Sequence, residues 1–265
     1  MKTLNLLIAA ILAGSPALFA QTEGPISTNR CGDKFQRYSN SFEVEGKFLD
    51  FDNSRPVSEY NPLTIVLPVS YEIDYPISSD LKPLKEYIIK EIIKADDTLN
   101  MDVAASQGAK KVVENDYYYP DEPHYYLSVT QWACGAKWVA MLITEESKRG
   151  DVPVEVVQSR GLLYDRQLQK IVPSLEIISD FHDKGLVALV NKAIDEEYKE
   201  CGFEGIYSPV VIDSLNNEIS VEKDGITFWF NRYEIPWSDG ESSYTIPYAD
   251  IKPYLTPYFI KLMGL

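Results

Sequence analysis

"DGITFWFNRYEIPWSDG" (residues 224–240) decides how the chain reads. In it Ile226, Phe228 and Phe230 alternate with Thr227, Trp229 and Asn231. A period of two puts the first set on one face of a strand and the second on the other. Asp224-Gly225 is a turn that launches this strand. Asp239-Gly240 is a second turn that returns the chain through Ile246. The rings of Phe228 and Phe230 are therefore expected in a core. Tyr233, Pro236 and Trp237 fall at the strand end and turn, where display to a partner is expected.

Working outward, "FEVEGKFLDF" (42–51) and "LTIVLPVSYEIDYP" (63–76) read as strands. The segment that follows reads as a helix with an apolar stripe of Leu84, Ile88 and Ile92, capped by Ser79 or Asp80, with Pro83 in its first turn. Strand patterns then recur through "YYLSVTQWA", "KWVAMLITEES" and "VPVEVVQSRGLLYD", as an antiparallel meander. A second helix follows His182, with Leu186, Leu189, Val190, Ala193 and Ile194 on one face and Gly202 as its stop. Four short strand candidates come next: "SPVVIDSL", "NEISVEK", "ITFWFNRYEI" and "SYTIPY". The Pro-broken C-terminus should form short helical turns. This order predicts an α+β fold, a mostly antiparallel sheet packed against two main helices.

Residues 1–20 carry one Lys, an apolar run from Leu4 to Ala13, Pro16 and a small residue, Ala20, before Gln21. This is the pattern of a secretory signal peptide cut near Ala20. The mature chain is then expected to be periplasmic or extracellular, with no transmembrane segment left. The expected organisation is a signal peptide (1–20), a flexible leader (21–40), a small N-terminal α+β domain (41–115) and a C-terminal α+β domain (116–265), unless the last two form one unit. The full chain carries a formal charge of −15, and loss of Lys2 makes the mature chain more acidic. A nucleic-acid partner needs a basic face, so none is expected. A cationic partner would be steered in by this field. Outside the cytoplasm, Cys31, Cys134 and Cys201 allow one internal disulfide and one free thiol, and the spacing does not choose among the pairings.

Catalytic signals are sparse. The chain has two histidines, His124 and His182. There is no G-x-S-x-G elbow, no H-E-x-x-H, no EF-hand loop and no phosphate-cradling glycine loop. No catalytic residue, metal ligand or cofactor is therefore assigned. Aromatic residues are the excess: Tyr alone numbers 18. Tyr117, Tyr118, Tyr119, Tyr125 and Tyr126 are interleaved with Asp116, Asp121 and Glu122, which suits either stacking on sugar or recognition of a cationic surface.

The series Phe228, Phe230, Tyr233, Glu234, Ile235, Pro236, Trp237, Gly240, Ile246, Pro247, Tyr248 resembles the C-terminal extracellular domain of the anti-sigma factor RsiV. That module also sits beside the catalytic domain of the peptidoglycan deacetylase PdaC. Upstream, "SRGLLYDRQLQKIVPSLEIISDFH" is similar to the same family's strand, turn and lead into its helix, with Gln in the place of the turn Gly. "SYEIDYPI" and the helix after it resemble the small domain that precedes the module. The resemblance implies an extracytoplasmic binding module. In RsiV the domain senses lysozyme, a cationic protein, by binding it. The turn here reads E-I-P-W, one residue shorter than in the family, and the deacetylase's metal motifs are absent.

These readings converge on a secreted, non-catalytic binding module of the bacterial envelope. Tyr233, Pro236 and Trp237 would form an aromatic anchor, with Asp239 and Glu241 as its acidic rim, for lysozyme or another cationic protein. Two alternatives stand beside it. One is a peptidoglycan or envelope-glycan module built on the tyrosines of 117–126. The other is a hydrolase with a carboxylate pair that no motif marks.

Overall fold

The computed structural model describes residues 22–49, 62–93, 124–148, 155–202, 212–231, 234–235 and 241–265. Seven strands form one sheet in chain order: β1 (Thr22–Thr28), β2 (Lys34–Leu49), β3 (Pro62–Pro76), β4 (His124–Gly135), β5 (Trp138–Lys148), β6 (Glu155–Asp165) and β7 (Lys170–Val172). All neighbours are antiparallel except β3 and β4, which run parallel from Val69 opposite Tyr125 to Ile73 opposite Val129. A parallel pair needs a long connection. The first helical segment lies in that connection: a 3₁₀ turn (Ser79–Leu81), α1 (Lys82–Tyr87) and a π turn (Ile88–Ile93).

This segment covers one face of the sheet. Leu84 and Ile88 are fully buried against Tyr71, Ile73, Val129 and Met141, as the apolar stripe predicts. The wider π winding advances the buried position to Ile93 and leaves Ile92 half-buried. Pro83 is in the first turn, where its missing N–H is harmless. The expected side-chain cap is not made. Instead the Ser78 hydroxyl accepts from the Lys34 amide at 2.9 Å, and Asp80 pairs with Arg166 at 2.7 Å. Both contacts tie the helix start to other strands, which outweighs a local cap.

Residues 21–40 were expected to be a flexible leader. They instead supply β1 and the start of β2. Their Gly, Pro, Ser and Asn content is that of a mobile segment, but three tertiary ties hold it. A Cys31–Cys134 disulfide joins the β1–β2 turn to the end of β4. Asn29 closes the turn, its side-chain Oδ1 accepting from the backbone amides of Cys31 at 2.9 Å and Asp33 at 3.0 Å. Asp33, buried, is paired with Arg166 from beyond β6. Cys201 is the free, exposed thiol. The β3–β4 pairing also runs hydrogen bonds across the expected boundary at 115–116, so one sheet serves both halves.

The second layer is built around a three-stranded sheet in the order β10-β9-β8, from β8 (Ile219–Val221), β9 (Gly225–Phe230) and β10 (Ser242–Pro247). Four helices accompany it: α2 (Ser174–Ile177), α3 (Lys184–Glu200), α4 (Tyr248–Ile251) and α5 (Pro257–Met263). Asp183 caps α3, accepting from Gly185 at 2.8 Å and Leu186 at 3.2 Å, so the exposed His182 stands just outside the helix. Gly202 ends it at φ +74°, a conformation that suits glycine. Leu186, Val190 and Ile194 pack with Ile226, Phe228 and Phe230 in one apolar core. Of the strand candidate at 208–215, residues 208–211 lie outside the described residues. Ile212–Leu215 is not a strand, and the Asn191 amide instead holds Ile212 through two bonds, of 2.9 and 3.0 Å.

The two sheets meet where β8 crosses β6. A side chain at Gly161 would come within 2.5 Å of the Ile219 carbonyl oxygen and the Ser220 Cα, so glycine permits this approach. Among the described residues no helix is long and apolar enough to cross a membrane.

Candidate binding surface

The strand in 224–240 behaves as its alternation predicts. Phe228 and Phe230 are core residues, and Phe230 meets Tyr244 edge to face at 5.8 Å between centroids. β9 and β10 pair in register from Gly225 opposite Pro247 to Phe230 opposite Ser242. The turn between them rises from a defined base. The Glu234 carboxylate accepts from the Asn231 amide at 2.8 Å and from the Asn216 side chain at 3.3 Å. Asn216 also donates to the Trp229 carbonyl at 3.1 Å. Ile235 is fully buried in the core and roots the chain as it leaves.

Tyr233, Pro236, Trp237 and Asp239, expected at this tip, lie outside the described residues. Glu241 lies within them and is not a rim residue. Its Oε2 accepts from the Ser159 hydroxyl of β6 at 2.9 Å, and Ser159 in turn contacts the Thr144 hydroxyl at 3.1 Å. Its Oε1 is buried and takes no hydrogen bond among the described residues. Burial pushes this carboxyl above the usual Glu range, the Ser159 bond opposes the shift, and Glu218 adds to it. Glu218 is also raised by burial, with Arg160 opposing and Glu234 reinforcing. Three carboxylates and one guanidinium thus interact at the base of the turn.

Of the tyrosine cluster, Tyr117, Tyr118 and Tyr119 lie outside the described residues. Tyr125 and Tyr126 are strand neighbours on β4 and face opposite ways. Tyr125 is 4 % exposed, and its hydroxyl donates to Glu145 at 3.1 Å. It is therefore a core residue and no part of a surface platform. Tyr126 is half-buried. His124 pairs with Glu146 at 2.9 Å across the β4–β5 ladder. Among the described residues no three His, Cys, Asp or Glu side chains converge as a metal site.

One constellation was not singled out from the sequence. The second face of the small sheet carries Ser220, Thr227 and Trp229. Glu222, just past β8, accepts at Oε1 from the Ser220 hydroxyl at 3.1 Å and the Thr227 hydroxyl at 3.0 Å. The same oxygen takes the indole N–H of Trp132. Trp229 donates its own indole N–H to Ser220 at 3.0 Å. Trp132 is the extra residue of a β-bulge on β4, between the pairs Gln131–Met141 and Ala133–Ala140. A bulge re-aims a side chain, so alternation along β4 could not have placed this ring. The signal that was legible is that Thr227 and Trp229 share a face of β9.

No family model matches the chain, and no curated protein does. The fold is similar to that of two solved structures. One is a member of the DUF3298 family from Bacteroides fragilis, 15% identical, with a TM-score of 0.56, matched over 85% of this chain and 95% of that one. The other is a DUF3298 family protein from Pseudomonas aeruginosa, 10% identical, with a TM-score of 0.52, matched over 89% of this chain and 97% of that one. The likeness is one of fold alone, over most of the length of this chain and of both neighbours.

Proposed function

We propose that this chain is a non-catalytic binding module of the bacterial cell envelope, secreted through its N-terminal signal, whose partner is a cationic protein of the lysozyme kind. The observation that carries this reading is electrostatic. The chain has a formal charge of −15, and Glu218, Glu234 and Glu241 interact at the base of the 231–241 turn. An acidic field of this size speeds encounter with a basic partner and disfavours nucleic acid. The resemblance of residues 224–248 to the lysozyme-sensing domain of RsiV supports the same partner class. In this reading Trp237 of the turn is the aromatic anchor, and Glu234 and Ile235 fix the chain where it leaves the sheet.

The test is calorimetric titration of residues 21–265 with a c-type lysozyme at low and at physiological salt. Binding of micromolar strength or tighter is expected, weakening as salt rises but persisting at physiological salt. Trp237→Ala should weaken it by more than about 1 kcal/mol, the usual order for a hot-spot ring. Absence of binding at physiological salt would overturn the partner class. An unchanged affinity in the variant would move the anchor elsewhere.

A further inference from the structure

We infer that the groove between the end of β3 and the first helical segment is a binding site for a fatty-acid anion of medium chain length. The groove shares no residue with the turn at 231–241, and the inference goes beyond the protein-binding reading. Four observations carry it.

The first is room. The groove has a volume of about 440 Å³, within the range of small-ligand sites, and it opens to solvent. Its helix wall is the stripe Ser79, Lys82, Lys85 and Ile89, spaced by three or four residues and so facing one way. Its other wall is Pro76 and Ile77, where β3 ends. The second is the apolar lining. Ile77 is 41% exposed and Ile89 is half-buried, so both leave apolar surface to be covered. The Ile77 amide donates to the Lys34 carbonyl at 2.9 Å, and the Lys34 amide donates to the Ser78 hydroxyl at 2.9 Å. These bonds fix the backbone at Ile77 and Ser78, so the wall is formed before a ligand arrives.

The third is an uncommitted ammonium. Lys82 pairs with Glu86 at 3.9 Å along the helix surface. Lys85 is half-buried, its Nζ lies 5.6 Å from the centroid of the Tyr75 ring, and it has no carboxylate partner among the described residues. The fourth is charge balance. Two ammoniums and one carboxylate line this groove, leaving one positive charge on a chain that carries −15 as a whole. A ligand that is apolar along its length and singly negative at one end matches both the lining and the local surplus. The lysine stems add methylenes to the apolar wall while their heads stay at the rim. A peptide segment would bring several N–H and C=O groups that need partners. Beyond Lys85 and the Lys82–Glu86 pair the side chains here offer only the Ser78 and Ser79 hydroxyls, and Ser78 is already taken by Lys34.

The test uses the mature chain with hexanoate, octanoate and decanoate, each below its micelle concentration, at physiological salt. Binding is followed by calorimetry and by the isoleucine methyl signals in nuclear magnetic resonance. Decanoate should shift the Ile77 and Ile89 signals and leave that of Ile226, buried in the other core, in place. Each added methylene should tighten binding, by up to about fourfold. Decyltrimethylammonium has the same tail and the opposite head. The overall charge of −15 favours it, so its weaker binding than decanoate isolates the local lysine site. Lys85→Gln should weaken decanoate by about tenfold, the order for a lost charged contact. It should leave the neutral tail of octanol bound as before, which shows that the variant folds. Ile77→Ser should weaken both. Leu175→Ala, an exposed apolar change on α2, should alter neither. The inference is overturned if decanoate moves neither signal up to about 10 mM, weaker than any useful affinity. Equal binding of the cationic amphiphile, or decanoate binding unchanged in Lys85→Gln, would overturn it as well. Tighter binding of an acetylated tripeptide ending in isoleucine would give the groove to a peptide terminus and sink the fatty-acid assignment.

Discussion

The two faces of β9 are made by six consecutive residues and do opposite work. Ile226, Phe228 and Phe230 enter a core shared with Leu186, Val190 and Ile194 of α3. Thr227 and Trp229 enter a network of hydroxyls, indoles and one carboxylate. The first face gains by removing apolar area from water, which needs only the right shape and size. The second contributes little net stability per hydrogen bond, because water is given up for each one formed. What it offers is fixed geometry. A face that holds the fold should be costly to truncate. A face of buried hydrogen bonds should be cheaper to truncate, because each bond nets little stability.

Four substitutions put that contrast to the test. Phe228→Ala breaks the apolar face and should destabilise the protein by about 3–5 kcal/mol, read by denaturant melting. A loss under 1 kcal/mol would mean that this core is not what holds the small sheet. Thr227→Val keeps the shape on the other face but removes the bonds to Glu222 and Thr245. It should cost about 1 kcal/mol in the same assay. Equality with the Phe228 loss would erase the distinction between the faces.

Glu241→Gln probes the polar layer where it meets β6, and here a gain is expected. Burial raises this carboxyl's pKa in the folded state, so folding disfavours its charged form. The penalty is absent below the unfolded Glu value of about 4.3 and develops as pH rises through the folded pKa. Melting temperatures should therefore favour the variant at pH 7, by less than the Thr227 loss, and the advantage should vanish at about pH 4 and below. A pH-independent difference would show that the carboxylate's charge is not the cause. Smallest of all, Trp132→Ala should leave stability within about 0.5 kcal/mol of the parent, as exposed positions usually do. A larger loss would show that this ring also holds the fold.

Much of this arrangement was legible beforehand. The alternation at 226–230, the stripe at 84 and 88 and the apolar helix face between His182 and Gly202 are local periodicities, and local periodicity is what a sequence states openly. Gln169 shows the limit of local reading. It stands at φ +51°, a left-handed conformation that glycine adopts without strain. The leader at 21–40 was misread because its order comes from residues 100 and more positions away: Cys134 and Arg166. Trp132 escaped notice because a bulge breaks the alternation that would have placed it.

By itself, then, the sequence determined that β9 is a strand and that α1 and α3 are helical, which faces of them are apolar, and the strongly acidic field, since each depends on spacing or composition alone. The tertiary structure decided which cysteines pair, that the N-terminal segment joins the sheet, and that Glu241 turns inward onto Ser159. It also decided that two tryptophans far apart in the chain share one hydrogen-bonded face. Each of these depends on which strands lie side by side, and the last two on the layer contact that Gly161 allows.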